Sequence, residues 1–327
     1  MRGKYQIEVY DKYVAYRFEV RRNITVIQGD SGTGKTQLIR LISDYNRGGT
    51  SSGVVLRCEK ECIALNVLDW EAYLRTAHEK IIFVDENSAF IRSKTFAEIV
   101  NSSDNYYVLI YRDSLPQLSY SIQEIYGMRE SRDSQKYVHV GRVYNELYPL
   151  YNLKPPIPLV PETVVTEDSN AGNDCFVTIF PNRCCSAKGR SRVVEAVTQA
   201  SKRGGNILAV VDGAAFGADM QQFMRKSDNL PVRCVLFAPE SFEYILLSSG
   251  ILQVDRDKLE NTYNYADSTV FSSWERYYTR YLMDVTEGTI YQYQKRSLNK
   301  NYLTEGNLKK IIEQIPKAIK INWAGDR

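Results

Sequence analysis

One octet constrains this chain more than any other feature: Gly29-Asp30-Ser31-Gly32-Thr33-Gly34-Lys35-Thr36. It fits the spacing G-x-x-x-x-G-K-[ST] at every position, and its flanks suit it. Ile24-Thr25-Val26-Ile27 before it has the pattern of a short buried strand. Behind it, Leu38, Leu41 and Ile42 recur with helical spacing. Strand, glycine-rich turn and helix in that order wrap backbone N–H groups around a phosphate and aim the positive end of the helix at it. Lys35 would reach the outer phosphates, and the Thr36 hydroxyl would bind a magnesium ion.

The surrounding residues predict the sheet that such a loop needs. Residues 4–28 read as strands, with turns at Asp11-Lys12 and Arg21-Arg22-Asn23. Val54 to Arg57 and Ile63 to Leu65 are short strand candidates, Trp70 to Ala77 and Phe96 to Val100 are helical, and Tyr106 to Tyr111 is a buried strand. Ile81-Ile82-Phe83-Val84 is a buried strand that ends in Asp85-Glu86, fifty residues beyond Lys35. Open α/β sheets gather ligand-binding residues at the carboxyl ends of their strands. There Asp85 would hold Mg²⁺ through water, and Glu86 would orient and deprotonate an attacking water. The alternation of strands and helices predicts parallel strands covered by helices.

Loop and acidic pair together resemble the additional-strand, catalytic-glutamate group of P-loop NTPases, whose members are AAA-, STAND- and ABC-like. The resemblance covers residues 4 to about 150. It implies ATP and Mg²⁺ as ligands. It makes Gly29, Asp30, Ser31, Gly32, Thr33, Gly34, Lys35 and Thr36 the nucleotide cradle, Thr36 and Asp85 the Mg²⁺ residues, and Lys35, Glu86 and Arg112 the catalytic groups. Arg112, after the strand Tyr106 to Tyr111, would sense the γ-phosphate. The Leu-Ser-Gly-Gly-Gln-like signature of transporter-type members is absent, and so is the guanine-reading Asn-Lys-x-Asp, which favours ATP. Arg129 and Arg132 are candidates to act on a neighbouring subunit.

A domain boundary is expected next. Residues 154–174 hold four prolines and few core residues, the composition of a linker between a first domain at 1–153 and a second at 175–327. The second domain alternates again. Cys175 to Phe180, Asn206 to Val211 and Val232 to Phe237 read as strands. Ser191 to Ser201, Ala218 to Arg225 and Phe242 to Leu247 read as helices. Asp212 leaves its strand into Gly213-Ala214-Ala215, and Glu240 and Glu243 follow the next strand. Acids at neighbouring strand ends can share Mg²⁺, which makes Asp212, Glu240 and Glu243 metal candidates. The plan resembles a degenerate Toprim domain of the ATPase-linked, overcoming-lysogenisation-defect type of nuclease, across roughly residues 172–255. Two departures stand out. No glutamate ends the strand read at 175–180, and no second aspartate follows Asp212 at the spacing Asp-x-Asp. A structural Rossmann-like domain, with Glu240 or Ser241 capping a helix, is the competing reading.

The loop Ser186 to Arg192 is small and basic enough to hold a phosphate. Beyond Ser273 a helical tail carries Trp274, Tyr277, Tyr278, Tyr281 and Leu282 on one stripe. Its many tyrosines either pack a helical layer or stack bases.

Composition sets the limits. Charged residues make up 25% and the net charge is +3, so the chain has neither the signature of disorder nor the basic excess of a dedicated nucleic-acid binder. No apolar stretch is long enough to span a membrane, and the charged N-terminus does not read as a secretory signal. Six sparse cysteines suggest free thiols in a cytoplasmic setting, and Cys58 with Cys62 lacks a second pair to complete a zinc site. The expected function is ATP binding and hydrolysis that controls the second domain. The alternatives are an ATP-gated, Mg²⁺-dependent nuclease of bacterial anti-phage defence and a nucleotide-dependent scaffold with little turnover. The partners to expect are a second copy of the chain, an operon-encoded protein, or nucleic acid.

Overall fold

The computed structural model describes residues 1–29, 34–131, 137, 140–153 and 158–321. Asp30, Ser31, Gly32, Thr33 and Arg132, named above, lie outside the described residues, as do residues 154–157 of the proline-rich stretch. The chain divides into two compact units. Met1–Tyr151 with Asn261–Ser273 form the first, and Asn152–Glu260 with Trp274–Arg327 form the second.

The first unit is built on β1 (Tyr5–Tyr10), β2 (Val14–Val20), β3 (Ile24–Ile27), α1 (Lys35–Gly48), β4 (Val55–Arg57), β5 (Cys62–Ala64), α2 (Trp70–Thr76), β6 (Ile81–Val84), α3 (Lys94–Ser102), β7 (Tyr106–Ile110), β8 (Ile125–Ser131) and β9 (Arg142–Pro149). One nine-stranded sheet runs in the order β4-β1-β2-β9-β8-β3-β7-β6-β5. From β8 to β5 the neighbours are parallel, whereas β1 runs antiparallel to β2 and β4, and β8 antiparallel to β9. Every residue of β3, β6 and β7 is buried, as parallel strands covered on both faces require. Asp69 caps α2 and Ser93 caps α3, each accepting a backbone N–H one turn on.

β4 and β5 are opposite edges of the sheet, yet only residues 58–61 join them. That connection spans at most about 17 Å. The sheet therefore curls until its edges approach each other. Helix α1 lies in the curl, with Leu38, Leu41 and Ile42 packed in one core cluster beside Ile7, Phe18, Ile81 and Val108.

The second unit contains β10 (Thr163–Thr166), α4 (Ala171–Ile179), β11 (Cys184–Ser186), α5 (Val193–Ser201), β12 (Ile207–Val210), α6 (Gly217–Ser227), β13 (Cys234–Phe237), α7 (Phe242–Ser248), α8 (Asp257–Glu260), α9 (Trp274–Thr286) and α10 (Glu305–Ile312). Its four strands are all parallel, in the order β11-β10-β12-β13.

Two sequence expectations are corrected here. Cys175 to Phe180 is not a strand: Cys175, Phe176 and Ile179 are the buried face of α4. The stretch 154–174 is not only linker, because it contains β10, an interior strand of the sheet, and the start of α4. Four β-branched residues, Thr163, Val164, Val165 and Thr166, make up that strand. The expected stripe on α9 is present, with Trp274, Tyr277, Tyr278, Tyr281 and Leu282 all buried. No helix among the described residues is long and apolar enough to cross a membrane.

Candidate functional site

In the first unit the loop sequence sits between β3 and α1, where a phosphate cradle belongs. Gly34 takes φ +84°, a left-handed conformation. A Cβ there would lie 2.9 Å from Tyr16 Oη and 3.0 Å from the Tyr144 ring. Tyr16 closes over this glycine, donating its hydroxyl to the Gly34 carbonyl at 2.7 Å and stacking on Tyr144 with ring centres 5.2 Å apart. Glycine is thus required twice, for conformation and for room. Lys35 is buried and its Nζ donates to the Gly29 carbonyl at 2.7 Å, so the ammonium lies across the two ends of the loop. Thr36 is exposed on the first turn of α1.

β3, β7 and β6 are parallel and adjacent in that order, so the segments after them leave the same edge of the sheet. Those segments are the loop, Arg112 and Asp85-Glu86. β7 separates the loop strand from the acidic strand. Arg112 grips Glu86 with a fork, Nε to Oε2 at 2.9 Å and a terminal nitrogen to Oε1 at 3.0 Å. Asp85 turns inward on its own loop, accepting the Asn87 backbone N–H at 3.2 Å and the Asn87 side-chain amide at 3.1 Å. Arg129 stands over the Tyr148 ring at 4.6 Å. Against Gly34 opens a pocket of about 480 Å³, lined by Tyr13, Tyr16, Gln37, Arg40, Arg142 and Tyr144. Tyr13 is 62% exposed there.

The second unit has a separate acidic site, and its position follows from topology. In the order β11-β10-β12-β13, the crossovers from β10 and from β12 leave toward opposite edges. The crevice at the carboxyl ends of these two strands is where open sheets place ligands. Glu167 follows β10 and Asp212 follows β12, and both line one small cavity of about 40 Å³ together with Asp168, Glu243, Tyr293 and Lys295.

The contacts are specific. The Asp212 backbone N–H donates to Glu167 Oε2 at 3.1 Å, and Asp212 Oδ1 accepts the Phe242 N–H at 3.0 Å. Tyr293 donates its hydroxyl to Glu243 Oε1 at 2.9 Å, and Lys295 Nζ donates to Glu275 on α9 at 2.6 Å. Burial lifts the Asp212 carboxyl well above the usual carboxylate range; Glu275, Glu167 and Glu243 add to this, and Lys295 opposes it. Burial likewise carries Glu167 up to about 7, opposed by the Asp212 N–H and aided by Glu275 and Asp168. Burial works against the charge on Lys295, but Glu275 and Glu243 outweigh it and raise its pKa.

Of the three metal candidates, Asp212 and Glu243 meet in this cavity, whereas Glu240 is buried outside its lining. Ser241, not Glu240, caps α7, accepting the Tyr244 N–H at 3.2 Å. Among the described residues no three His, Cys, Asp or Glu side chains are arranged to hold a metal ion. Sequence reasoning missed Glu167 and Glu275, and it considered Tyr293 and Lys295 only as part of the tyrosine-rich, basic tail that packs a layer or stacks bases. The signal for Glu167 was present in Thr-Val-Val-Thr-Glu-Asp, a β-branched run ending in two acids. In the 186–192 loop, Arg190 pairs with Asp219 at 2.9 Å and donates to the Ala215 carbonyl at 2.9 Å, which ties it to the fold.

Comparison with protein-family models, with curated proteins and with solved structures returned no match to this chain.

Proposed function

We propose that the first unit binds and hydrolyses ATP, and that its nucleotide state controls the second unit. One observation carries this reading: the glycine-rich octet, Arg112 and Asp85-Glu86 follow three adjacent parallel strands and leave the same edge of the sheet. The interposed β7 supports the additional-strand arrangement that the sequence suggested. Lys35, held at the loop by the Gly29 carbonyl, supplies the cation for the outer phosphates. The pocket beside Gly34 offers Tyr13 as a stacking face and Arg40 and Arg142 as charge for the rest of the nucleotide. Thr36 and Asp85 are hard oxygen donors of the kind Mg²⁺ takes, and the ion would neutralise charge on the phosphates.

Glu86 is the general base in this reading, and its grip on Arg112 gives it a control. The guanidinium fork occupies both carboxylate oxygens. An incoming γ-phosphate competes for the same fork, and Arg112 moving to it releases Glu86 toward water. The test is turnover. Purified protein should hydrolyse ATP with Mg²⁺, and Glu86→Gln should bind ATP without turnover; equal rates would remove Glu86 from this role.

A second reading has one specific observation in its favour. Glu167 follows β10 and lines the same cavity as Asp212, and in this reading it would take the part of the first-strand glutamate that the Toprim resemblance lacked. That supports an ATP-gated nuclease, tested by nicking of plasmid DNA with Mg²⁺ or Mn²⁺ and its loss in Asp212→Asn. The lysine among these acids and the lack of a metal-competent trio among the described residues leave ATP hydrolysis the better supported function.

A further inference from the structure

We infer that Tyr16, a residue outside the glycine-rich octet, is a positioning residue for phosphate binding: its hydroxyl fixes the peptide that joins Gly34 to Lys35 and so sets the direction of the Lys35 N–H. The inference rests on the proposal that this loop takes ATP. Register brings the parts together. β2 and β9 run parallel with Tyr16 opposite Tyr144, so both side chains stand on the same face of the sheet. Their rings stack with 9° between the planes. Val14 and Phe18 follow the same alternation on either side of Tyr16, and all four pack in one core cluster with Leu38 of α1. Tyr16 is fully buried, and a ring held this way has little freedom to move its hydroxyl.

The hydroxyl ends 2.7 Å from the Gly34 carbonyl. Burial pushes its pKa up, and Tyr144 adds to this, so it is protonated and a donor at neutral pH. The same carbonyl accepts the Leu38 N–H at 3.1 Å, the opening bond of α1. Two donors from different elements thus fix its direction. A trans peptide is planar and its N–H points opposite to its C=O, so holding the Gly34 carbonyl also aims the Lys35 N–H. That matters at this position, because a helix directs its first N–H groups out beyond its N-terminus, where phosphates bind.

Glycine alone would leave that peptide loose. Gly34 takes φ +84° with no side chain to hinder rotation about its backbone bonds. Packing does not call for the hydroxyl, since phenylalanine would fill the same space and the carbonyl would keep the Leu38 N–H. A hydrogen bond of this kind contributes roughly a two- to tenfold factor to an equilibrium. Tyr16 also lines the pocket beside Gly34, so the test separates action through the peptide from action through the pocket.

The full chain, unsubstituted and as Tyr16→Phe, is titrated calorimetrically with ATP and with inorganic tripolyphosphate, and its turnover of ATP is measured with Mg²⁺. The dissociation constants of both ligands should rise by the same factor, roughly two- to tenfold, with unchanged stoichiometry. KM should rise with them while kcat stays within about twofold, the mark of lost uniform binding. Damage to the fold would instead lower the stoichiometry and kcat and leave the affinity of the intact molecules as it was, and that result overturns the inference. So does weaker binding of ATP with unchanged binding of tripolyphosphate, which would place the action of Tyr16 in the pocket. If the unsubstituted protein binds neither ligand, the ATP reading itself falls; if it binds both and the substitution changes neither, only the positioning role falls.

Discussion

Replacing Glu167 with Gln should stabilise the second unit at neutral and alkaline pH and leave it unchanged in acid. The folded carboxyl sits at about 7 against an ordinary value of 4.5. Below pH 4.5 both folded and unfolded chains carry the proton, and the stability is intact. Between 4.5 and about 7 the unfolded chain releases its proton while the folded chain keeps it, so stability falls as pH rises; above about 7 the loss is complete. The gap of 7 − 4.5 = 2.5 units corresponds to an upper bound of about 3 kcal/mol at 1.36 kcal/mol per unit. Glu167 retains some solvent exposure, which screens part of this, so a gain of roughly 1–3 kcal/mol is expected at pH 8. Gln keeps an oxygen to accept the Asp212 N–H, so the substitution removes charge without orphaning that donor. Pulse proteolysis across a urea series, scored on peptides from β10 and β12, measures it at pH 4 and pH 8. An equal effect at the two pH values, or a loss of stability at pH 8, refutes the reasoning.

The first unit yields three more expectations. Lys35→Ala should abolish ATP binding by calorimetric titration, because the cradle loses its cation; unchanged affinity would sink the assignment. Arg112→Ala should lower turnover more than ATP affinity, since the guanidinium contacts Glu86; an effect on affinity alone would make it a binding residue. Gly34→Ala should cost roughly 1–2 kcal/mol of stability from its left-handed backbone, and more where the Tyr16 hydroxyl must move; an unshifted urea midpoint would contradict the close approach.

Unit one was readable where burial is complete on both faces. β6 and β7 are continuous apolar runs and β3 is broken only by the buried Thr25, and short runs of this kind between turn residues suit strands buried on both faces. β8 and β9 were not read at all. Met128, Arg129, Glu130 and Ser131, and likewise Val143 and Tyr144 beside Arg142, mix charge with apolar residues although both strands lie inside the sheet, antiparallel to each other and parallel to β3 and β2 on their other sides. The curl was hidden for another reason. It follows from which strands pair, and local periodicity carries no information on pairing between β4 and β1 or β5 and β6.

The second unit shows how one misread element displaces a site. Cys175-Phe176-Val177-Thr178-Ile179-Phe180 is β-branched and aromatic enough to read as a strand, but Val177 is exposed while Cys175, Phe176 and Ile179 are buried, a helical spacing. Taking it as the first strand moved the expected strand end by fourteen residues, from Thr166 to Phe180, onto Pro181. The four prolines had already marked Thr163–Thr166 as linker, so the glutamate after it was not considered. Topology restores the logic. Once β10 is the strand beside β12, Glu167 and Asp212 must leave adjacent parallel strands in the same direction, and two carboxyl groups meet in one crevice. Lys295, far along the chain from both, cannot be read into that crevice from spacing. It is there because buried acids of one sign need a cation nearby, and Glu275 on α9 holds it in place.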